Sequence, residues 1–123
     1  KAPAKLRIAA YCRITIRAAE QRSSLMAQKR YYEDHIKQNP IREFAGVYSD
    51  IGSGTRIKGR GRFKALLLAC KHGKVDMILT KSAHRFARNT VDSLKTNRML
   101  KRWNIGIYFE QEDNKLLYLY LRW

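Results

Sequence analysis

One stretch decides the fold: Lys81-Ser-Ala-His-Arg-Phe-Ala-Arg-Asn-Thr90, which directly follows the apolar run Val75-Asp-Met-Ile-Leu-Thr80. The apolar run predicts a buried strand, and the pattern after Thr90 predicts an amphipathic helix. Arg85 and Arg88 therefore lie between a strand end and a helix start, which is where open α/β sheets bind ligands. The helix N-terminus offers unpaired N–H groups, and guanidinium groups match phosphate oxygens. The pattern favours a phosphate site over solvated loop arginines.

The composition indicates one globular domain with a polyanionic partner. A chain of 123 residues with 45% hydrophobic residues is large and apolar enough to bury a core. It has 26 lysines and arginines against 10 acidic residues, and the resulting net charge of +16 favours nucleic acid first and an anionic membrane surface second. We expect no membrane partner, because no stretch is long and apolar enough to span a bilayer and no secretory signal is evident.

The cysteines, histidines and acidic residues argue against metal chemistry. Cys12 lies in a strand pattern and Cys70 on the apolar side of a helix pattern, so both are predicted to be buried free thiols in a reducing, intracellular setting. No short Cys/His spacing indicates zinc, and the acids are too scattered for a two-metal nuclease. His35 and His72 are predicted to face solvent. The glycine-rich segment Gly52-Ser-Gly54 lacks the Lys-Ser/Thr of a P-loop.

The order of apolar runs predicts β-α-β-α-β-α-β, and hence a largely parallel sheet with right-handed crossovers. The predicted strands are Leu6–Ile14, Phe44–Tyr48, Val75–Thr80 and Ile105–Phe109. The predicted helices are one capped by Ser23-Ser24 and ended by Asn39-Pro40, one over Arg62–His72 with Gly73 as its stop, and one over Thr90–Trp103. Thr15–Gln21 and Asp50–Gly61 are predicted loops. Lys115–Trp123 fits either an edge strand or the start of a helix.

Several cationic segments follow strand ends and therefore converge on one edge of the predicted sheet. They are Arg13, the Asp50–Arg60 loop, and Arg85 with Arg88. Arginines grouped there would stabilise a phosphoryl transition state, whose charge spreads over the equatorial oxygens. A nearby hydroxyl would be the nucleophile, and the candidates by position are Thr15, Ser23, Ser24, Ser53 and Ser82.

These segments, in this order, resemble the catalytic domain of the serine recombinases (the resolvase/invertase family), and most closely the large transposon- and phage-type members. The resemblance covers about Arg7 to Glu112 and is carried by Tyr11-Cys-Arg-Ile-Thr15, Gln21-Arg-Ser-Ser-Leu25 with Gln28, Tyr48-Ser-Asp50 with Gly52-Ser-Gly-Thr55, Gly73-Lys-Val-Asp-Met-Ile78, and Lys81-Ser through Arg85-Phe-Ala-Arg-Asn-Thr-Val-Asp92. It implies a resolvase-like three-layer α/β fold with a mainly parallel sheet of four to five strands. It also implies that residues 1–123 form a catalytic domain without the family's C-terminal oligomerisation helix and DNA-binding region.

The resemblance further implies the chemistry. In this family a serine after the first strand attacks a DNA phosphodiester, forms a 5′-phosphoseryl link and frees a 3′-hydroxyl, and no metal or other cofactor takes part. The motifs assign catalytic roles to Thr15, Arg13, Arg60, Arg85, Arg88, Gln28, Asp50 and Ser53, and DNA contacts to Arg56, Lys58, Lys81 and His84.

The partners implied by the resemblance are double-stranded DNA and further copies of the chain. We expect a dimer or tetramer for a full-length protein and a monomer or weak dimer for residues 1–123. The expected location is the cytoplasm of a bacterium, at the bacterial or phage nucleoid.

Thr15 departs from the family pattern, because it stands where the family has its serine. A threonine hydroxyl can attack phosphorus, but its β-methyl group restricts χ1 and crowds an in-line approach. Ile16, Gly61-Arg62 and His84 are further departures. An alternative function is therefore a catalytically impaired relative that acts only as a basic DNA-binding or assembly module. A weaker alternative is a general RNA- or DNA-binding protein.

Overall fold

The computed structural model describes residues 5–14, 18–51, 61–81 and 90–110, which form a four-stranded sheet flanked by helices. The elements are β1 (Leu6–Ile14), α1 (Ala18–Lys37), β2 (Arg42–Ile51), α2 (Gly61–Lys71), β3 (Met77–Thr80), α3 (Thr90–Arg102) and β4 (Gly106–Phe109). This alternation of strands and helices confirms the α/β class predicted from the sequence.

All three strand pairings are parallel, and the strand order is β2-β1-β3-β4. Because the strands run in the same direction, their carboxyl ends lie at one edge of the sheet, which we call the carboxyl edge. The opposite edge, where the strands begin, is the amino edge. β1 pairs on both sides and is therefore an inner strand, which explains why its sequence is almost continuously apolar.

The buried side chains form two clusters, one on each face of the sheet, because side chains alternate along a strand. Ile8, Ala10 and Cys12 of β1 pack with Tyr32 and Ile36 of α1. On the other face, the cluster contains Ala9, Tyr11, Phe63, Leu66, Cys70, Val75, Ile78, Leu100, Ile105, Ile107 and Phe109. The fold is thus three layers, with α1 on one face and α2 with α3 on the other.

A bulge at Gly46 changes which residues of β2 face each layer. Between the pairs Ile8↔Phe44 and Ala10↔Val47, β1 advances by two residues and β2 by three. Gly46 has a φ of 108°, a conformation that favours glycine. Phe44 and Val47 consequently both pack against the α1 cluster, whereas Tyr48 packs against the α2 cluster.

Residues with positive φ end two of the helices. Gly73 has a φ of 73°, and the N–H of Lys74 donates to the Ala69 carbonyl at 2.9 Å. Asn104 has a φ of 62°, and the N–H of Ile105 donates to the Leu100 carbonyl at 2.8 Å. These bonds satisfy carbonyls that the helix ends leave open. The predicted stop at Gly73 is confirmed.

Two predicted boundaries are wrong, while the other element ends agree within about two residues. α1 begins at Ala18, so Thr15–Gln21 is not all loop and Ser23-Ser24 lies inside the helix. The reason is that Ala18–Gln21 consists of residues with good helix propensity, which outweigh the local capping signal. β2 continues to Ile51, so Asp50 belongs to a strand rather than a loop.

The predictions for single side chains have mixed outcomes. Cys12 and Cys70 are buried free thiols, as predicted. His72 is exposed as predicted, but His35 is half-buried and its ring stacks on Tyr31, with centroids 5.7 Å apart. The segment Lys115–Trp123 lies outside the described residues. Among the helices in the described ranges, none is long and apolar enough to cross a membrane.

Two leucines of α2, Leu66 and Leu68, differ in burial and give a matched test of the core. Leu66 is 0% exposed and Leu68 is 56% exposed. We expect Leu66→Ala to lower the free energy of unfolding by about 2–5 kcal/mol, because it removes buried methyl groups and leaves a cavity. Leu68→Ala should change it by no more than about 0.5 kcal/mol. Urea denaturation measures both, and equal losses would contradict this assignment of the core.

Candidate active site at the carboxyl edge

The structure describes four of the residues assigned to the site from the sequence: Arg13, Gln28, Asp50 and Lys81. The others lie outside the described residues, and they are Thr15, Ser53, Arg56, Lys58, Arg60, His84, Arg85 and Arg88. The geometry that follows therefore concerns the part of the site carried by β1, β2, α1 and the end of β3.

Arg13 and Asp50 lie side by side at the carboxyl edge. They are cross-strand partners in the β1–β2 ladder, and both are buried, with 8% and 5% of their surface exposed. Opposite charges on neighbouring strands attract each other, and burial makes compensation of charge more important. The ladder thus fixes the backbone two residues before Thr15, as the predicted convergence of strand ends requires.

The Asp50 carboxylate accepts three hydrogen bonds. Oδ1 accepts from the backbone N–H of Arg62 at 2.9 Å, and Oδ2 accepts from the backbone N–H of Phe63 at 2.9 Å and from the Tyr11 hydroxyl at 2.8 Å. The two N–H groups belong to the first turn of α2, which has no intrahelical acceptors for them. A carboxylate at a helix N-terminus also interacts favourably with the helix dipole.

These contacts give Asp50 a structural role that the sequence did not reveal. The carboxylate joins β2 to the first turn of α2, so it fixes the point at which the chain enters that helix. Arg60, one of the assigned arginines, directly precedes Gly61 in the sequence. The assignment of Asp50 to the site stays a prediction, and its hydrogen-bond partners, which lie 12 or more residues away in the sequence, leave no local signal.

Tyr11 and Thr80 extend the same network towards β3. The Thr80 hydroxyl donates to the backbone carbonyl of Tyr11 at 2.9 Å, and Thr80 is fully buried. The Tyr11 ring packs edge-to-face against Phe63, with centroids 5.1 Å apart. Tyr11 was predicted to be a core residue, which is confirmed, whereas its hydroxyl contact was not predicted. Side-chain hydrogen bonds at the carboxyl edge therefore hold together three neighbouring strands and the start of α2.

The two remaining described residues occupy other places. Lys81 is exposed and directly follows Thr80, so it extends from the end of β3 at the carboxyl edge. Gln28 is half-buried on α1, in the layer on the opposite face from α2. It lies one turn before Tyr32, which is part of the α1 cluster. The structure thus brings Arg13 and Asp50 together and places Gln28 on a different layer.

Glu110 is a contact residue that sequence reasoning missed. Its carboxylate accepts hydrogen bonds from the hydroxyls of Tyr31 and Tyr32, both at 2.8 Å, and its own N–H donates to the Thr80 carbonyl at 3.0 Å. The hydrogen bond to Glu110 raises the pKa of Tyr31, and burial followed by that bond raises the pKa of Tyr32. The sequence feature that could have identified Glu110 is an acidic residue directly after a strand in a chain rich in cations. The contact holds α1 to the end of β4.

The thiols do not offer a nucleophile. Burial raises the pKa of Cys12 and of Cys70 to about 12. A thiol reacts as its thiolate, so both remain protonated and inert near neutral pH. Within the ranges that the structure describes, no group of three or more His, Cys, Asp or Glu side chains is placed to hold a metal ion.

The fold and the site define a class of protein: a three-layer α/β domain whose charged residues meet at the carboxyl ends of parallel strands. The family model of the resolvase N-terminal domain matches residues 8–118. The chain therefore belongs to the resolvase family of serine recombinases, enzymes that cleave and rejoin DNA. This confirms the family resemblance seen in the sequence.

Solved structures support the same fold. A resolvase family site-specific recombinase from Streptococcus pneumoniae is 27% identical, with a TM-score of 0.70 over 94% of this chain and 83% of that one. The C-terminal catalytic domain of ISC1926 TnpA, an IS607-like serine recombinase, is 17% identical, with a TM-score of 0.71 over 89% and 70%. A serine recombinase from Sulfolobus solfataricus is 24% identical, with a TM-score of 0.65 over 92% and 74%. The last two comparisons concern the fold alone. No protein with a curated description matches the sequence.

The Asp50 contacts predict a stability loss when the carboxylate changes. Asp50→Asn keeps the size but replaces one accepting oxygen by an NH₂ group and removes the charge, so we expect a loss of about 1–3 kcal/mol. Tyr11→Phe removes one of the three hydrogen bonds and should cost about 0.5–1.5 kcal/mol. Glu43→Gln, at an exposed acid in the same strand, is the control and should stay within about 0.5 kcal/mol. Urea denaturation measures all three, and an Asp50→Asn protein as stable as the control would refute this role.

The buried thiols predict a loss of stability at alkaline pH. Because burial raises the pKa of Cys12 and Cys70 to about 12, they ionise between about pH 9 and 12 only in the unfolded chain. The stabilisation is fully present below the unfolded pKa and is lost as the pH rises, by about 1.4 kcal/mol per pH unit for each thiol. Urea denaturation at pH 8, 9 and 10 measures this slope. Cys70→Ala should reduce the slope of the unfolding free energy against pH by the contribution of one thiol. An unchanged slope in this variant would contradict the argument from burial.

Proposed function

We propose that this chain is the catalytic domain of a site-specific DNA recombinase that cuts and rejoins strands through a covalent link at Thr15. The observation that carries the proposal is the position of Arg13. It is a buried cation, paired in register with Asp50 at the carboxyl edge and two residues before Thr15. In a family that cleaves and rejoins DNA, a cation held in this way supports a scissile phosphate at that edge.

The proposed reaction is a transesterification. The Thr15 oxygen attacks phosphorus and forms a 5′-phosphothreonyl ester, while the bond from phosphorus to the 3′ oxygen breaks. The proton lost from the Thr15 hydroxyl is balanced by the one gained at the 3′ oxygen. Rejoining is the reverse attack by a 3′-hydroxyl. Because one ester replaces another, the energy of the bond is conserved and the step needs no cofactor.

The assigned residues other than Thr15 would divide into four roles. Arg13, Arg60, Arg85 and Arg88 would neutralise the phosphate as charge spreads over its oxygens. Asp50 would act as a positioning residue, since its carboxylate is engaged by Tyr11 and by the first turn of α2. Gln28 and Ser53 would support the phosphate by hydrogen bonds. Contacts to flanking DNA would come from Arg56, Lys58, Lys81 and His84.

The second candidate function is a degenerate relative that binds DNA or assembles with other copies without cutting. The observation that favours it is the identity of Thr15, whose β-methyl group restricts the hydroxyl. The proposed partners are the same in either case: double-stranded DNA, and further copies of the chain in a dimer or tetramer of the full-length protein. Residues 1–123 alone are proposed to be a monomer or weak dimer.

Covalent capture on DNA tests the nucleophile. The native chain, Thr15→Ser and Thr15→Val are each incubated with a duplex library that has a randomised centre. After denaturation in detergent, protein-linked DNA is recovered, and mass spectrometry locates the attached nucleotide. Valine is the matched control, because it keeps the branched shape and lacks the hydroxyl. We expect the native chain to form an adduct at Thr15 and the valine variant to form none. The serine variant should form at least about tenfold more adduct, because the position of its hydroxyl is less restricted.

Each other outcome has a defined meaning. As much adduct with valine as with threonine would show that residue 15 is not the nucleophile. An adduct with serine but not with threonine would establish the impaired relative. No adduct with any of the three, while duplex binding persists, would leave the binding module as the function.

A further inference from the structure

The exposed sides of α2 and α3 form a second cationic surface, which extends from near the start of α2 towards the amino edge. We call it the α2–α3 basic face and define it by six exposed side chains: Lys64, Lys71, Lys74, Lys95, Arg98 and Arg102. We propose that this face binds the phosphate backbone of duplex DNA at phosphates other than the one that is cleaved. The inference goes beyond the proposed reaction; its reference to a cleaved phosphate rests on the proposed function, whereas the binding itself needs no cleavage.

The core places these cations on one side of the molecule. Phe63 and Leu66 of α2 and Leu100 of α3 belong to the same buried cluster on the same face of the sheet. Both helices therefore turn their opposite sides outwards. Lys64 and Lys71 lie two helical turns apart, and Lys95, Arg98 and Arg102 follow spacings of three and four, so each set lies on one side of its helix.

The carboxylates of segments 61–81 and 95–110, whose side chains the structure describes, do not neutralise this face. In the segments 61–81 and 95–110, the acids are Asp76 and Glu110, and neither is among the exposed residues. Asp76 accepts from the backbone N–H, Nε and Nη2 of Arg7 at 2.9, 3.0 and 3.1 Å. Glu110 is held by the two tyrosines of α1, in the other layer. Within these described segments, the face therefore presents cations and no exposed carboxylate.

Helix stabilisation alone does not account for the pattern. A cation in the last turn of a helix interacts favourably with its dipole, which explains Lys71 and Arg102. The effect falls off within one turn. Lys64 and Lys95 lie seven residues before the ends of their helices, where the dipole gives no reason for a cation.

The dimensions of the face suit a nucleic-acid backbone. Seven residues of helix span about 10 Å, and duplex DNA carries one phosphate per about 3.4 Å of axis on each strand. Each helix can therefore face on the order of three phosphates. The first turn of α2 is bonded to Asp50 at the carboxyl edge and the helix is about 16 Å long, so Lys71 and Lys74 lie towards the far, amino edge. Contacts there would be made with DNA outside the cleaved bond.

Two triple variants of equal charge test the proposal. The face variant is Lys71→Gln, Lys74→Gln and Arg98→Gln. The control is Lys5→Gln, Lys29→Gln and Arg30→Gln, which removes two exposed lysines and one exposed arginine from outside the face. Each lowers the net charge of +16 by three. Binding to a 25-base-pair duplex of arbitrary sequence is followed by fluorescence anisotropy between about 50 and 300 mM NaCl.

We expect the face variant to flatten the slope of log Kd against log salt by about 2–3, because each lost phosphate contact removes about 0.9. The control should change the slope by less than about 1. Equal changes in both variants, or none in the face variant, would overturn the proposal. Binding of poly-glutamate is measured in parallel. If the face variant loses poly-glutamate binding and keeps its DNA binding, the face fits an acidic peptide and the proposal is overturned. The readout is non-covalent binding, so failure here is distinct from failure of cleavage at Thr15.

Discussion

The rest of the structure depends on the buried carboxylate of Asp50. A buried charge without partners costs several kcal/mol, and here three hydrogen-bond donors compensate for it. The donors come from β1 and from the first turn of α2, so one side chain fixes two strands and a helix relative to each other. Because α2 passes over the sheet to reach β3, its starting point determines where its apolar side meets the core.

The direction of the Asp50 side chain depends in turn on the bulge at Gly46. In a regular strand, Phe44 and Asp50 would lie on the same face, since they are six residues apart. The extra residue shifts this alternation, and Asp50 reaches α2 while Phe44 packs towards α1. A glycine with a positive φ of 108° thus connects the packing of the two layers to the geometry of the carboxyl edge.

The sequence was sufficient for the local and periodic features and insufficient for the contacts between distant elements. β1 was predicted at its observed bounds because an inner parallel strand is apolar throughout, and Gly73 marked a helix end because few other residues adopt its conformation. The partners of Asp50 and Glu110 depend on register, on the bulge and on helix placement, which no local pattern encodes. The position of Arg13 at the carboxyl edge was predictable because it lies next to the last residue of β1, whose bounds the apolar pattern predicted. The functional roles assigned to all the site residues stay predictions, and residues 15, 53, 56, 58, 60, 84, 85 and 88 lie outside the part of the chain that the structure describes.

The distribution of charge distinguishes acids that make internal contacts from cations that are exposed to solvent. Several described acids are engaged inside the structure: Asp50 caps a helix, Asp76 pairs with Arg7, and Glu110 joins α1 to the end of β4. Within the described ranges many lysines and arginines are exposed, and the chain as a whole carries a net charge of +16. Such a field raises the rate of encounter with a polyanion but falls off within about 10 Å at moderate salt. It brings DNA to the protein without defining a register. The β1–β2 ladder fixes the backbone of one buried cation, Arg13, at the carboxyl edge, which is where the proposed function puts the scissile phosphate.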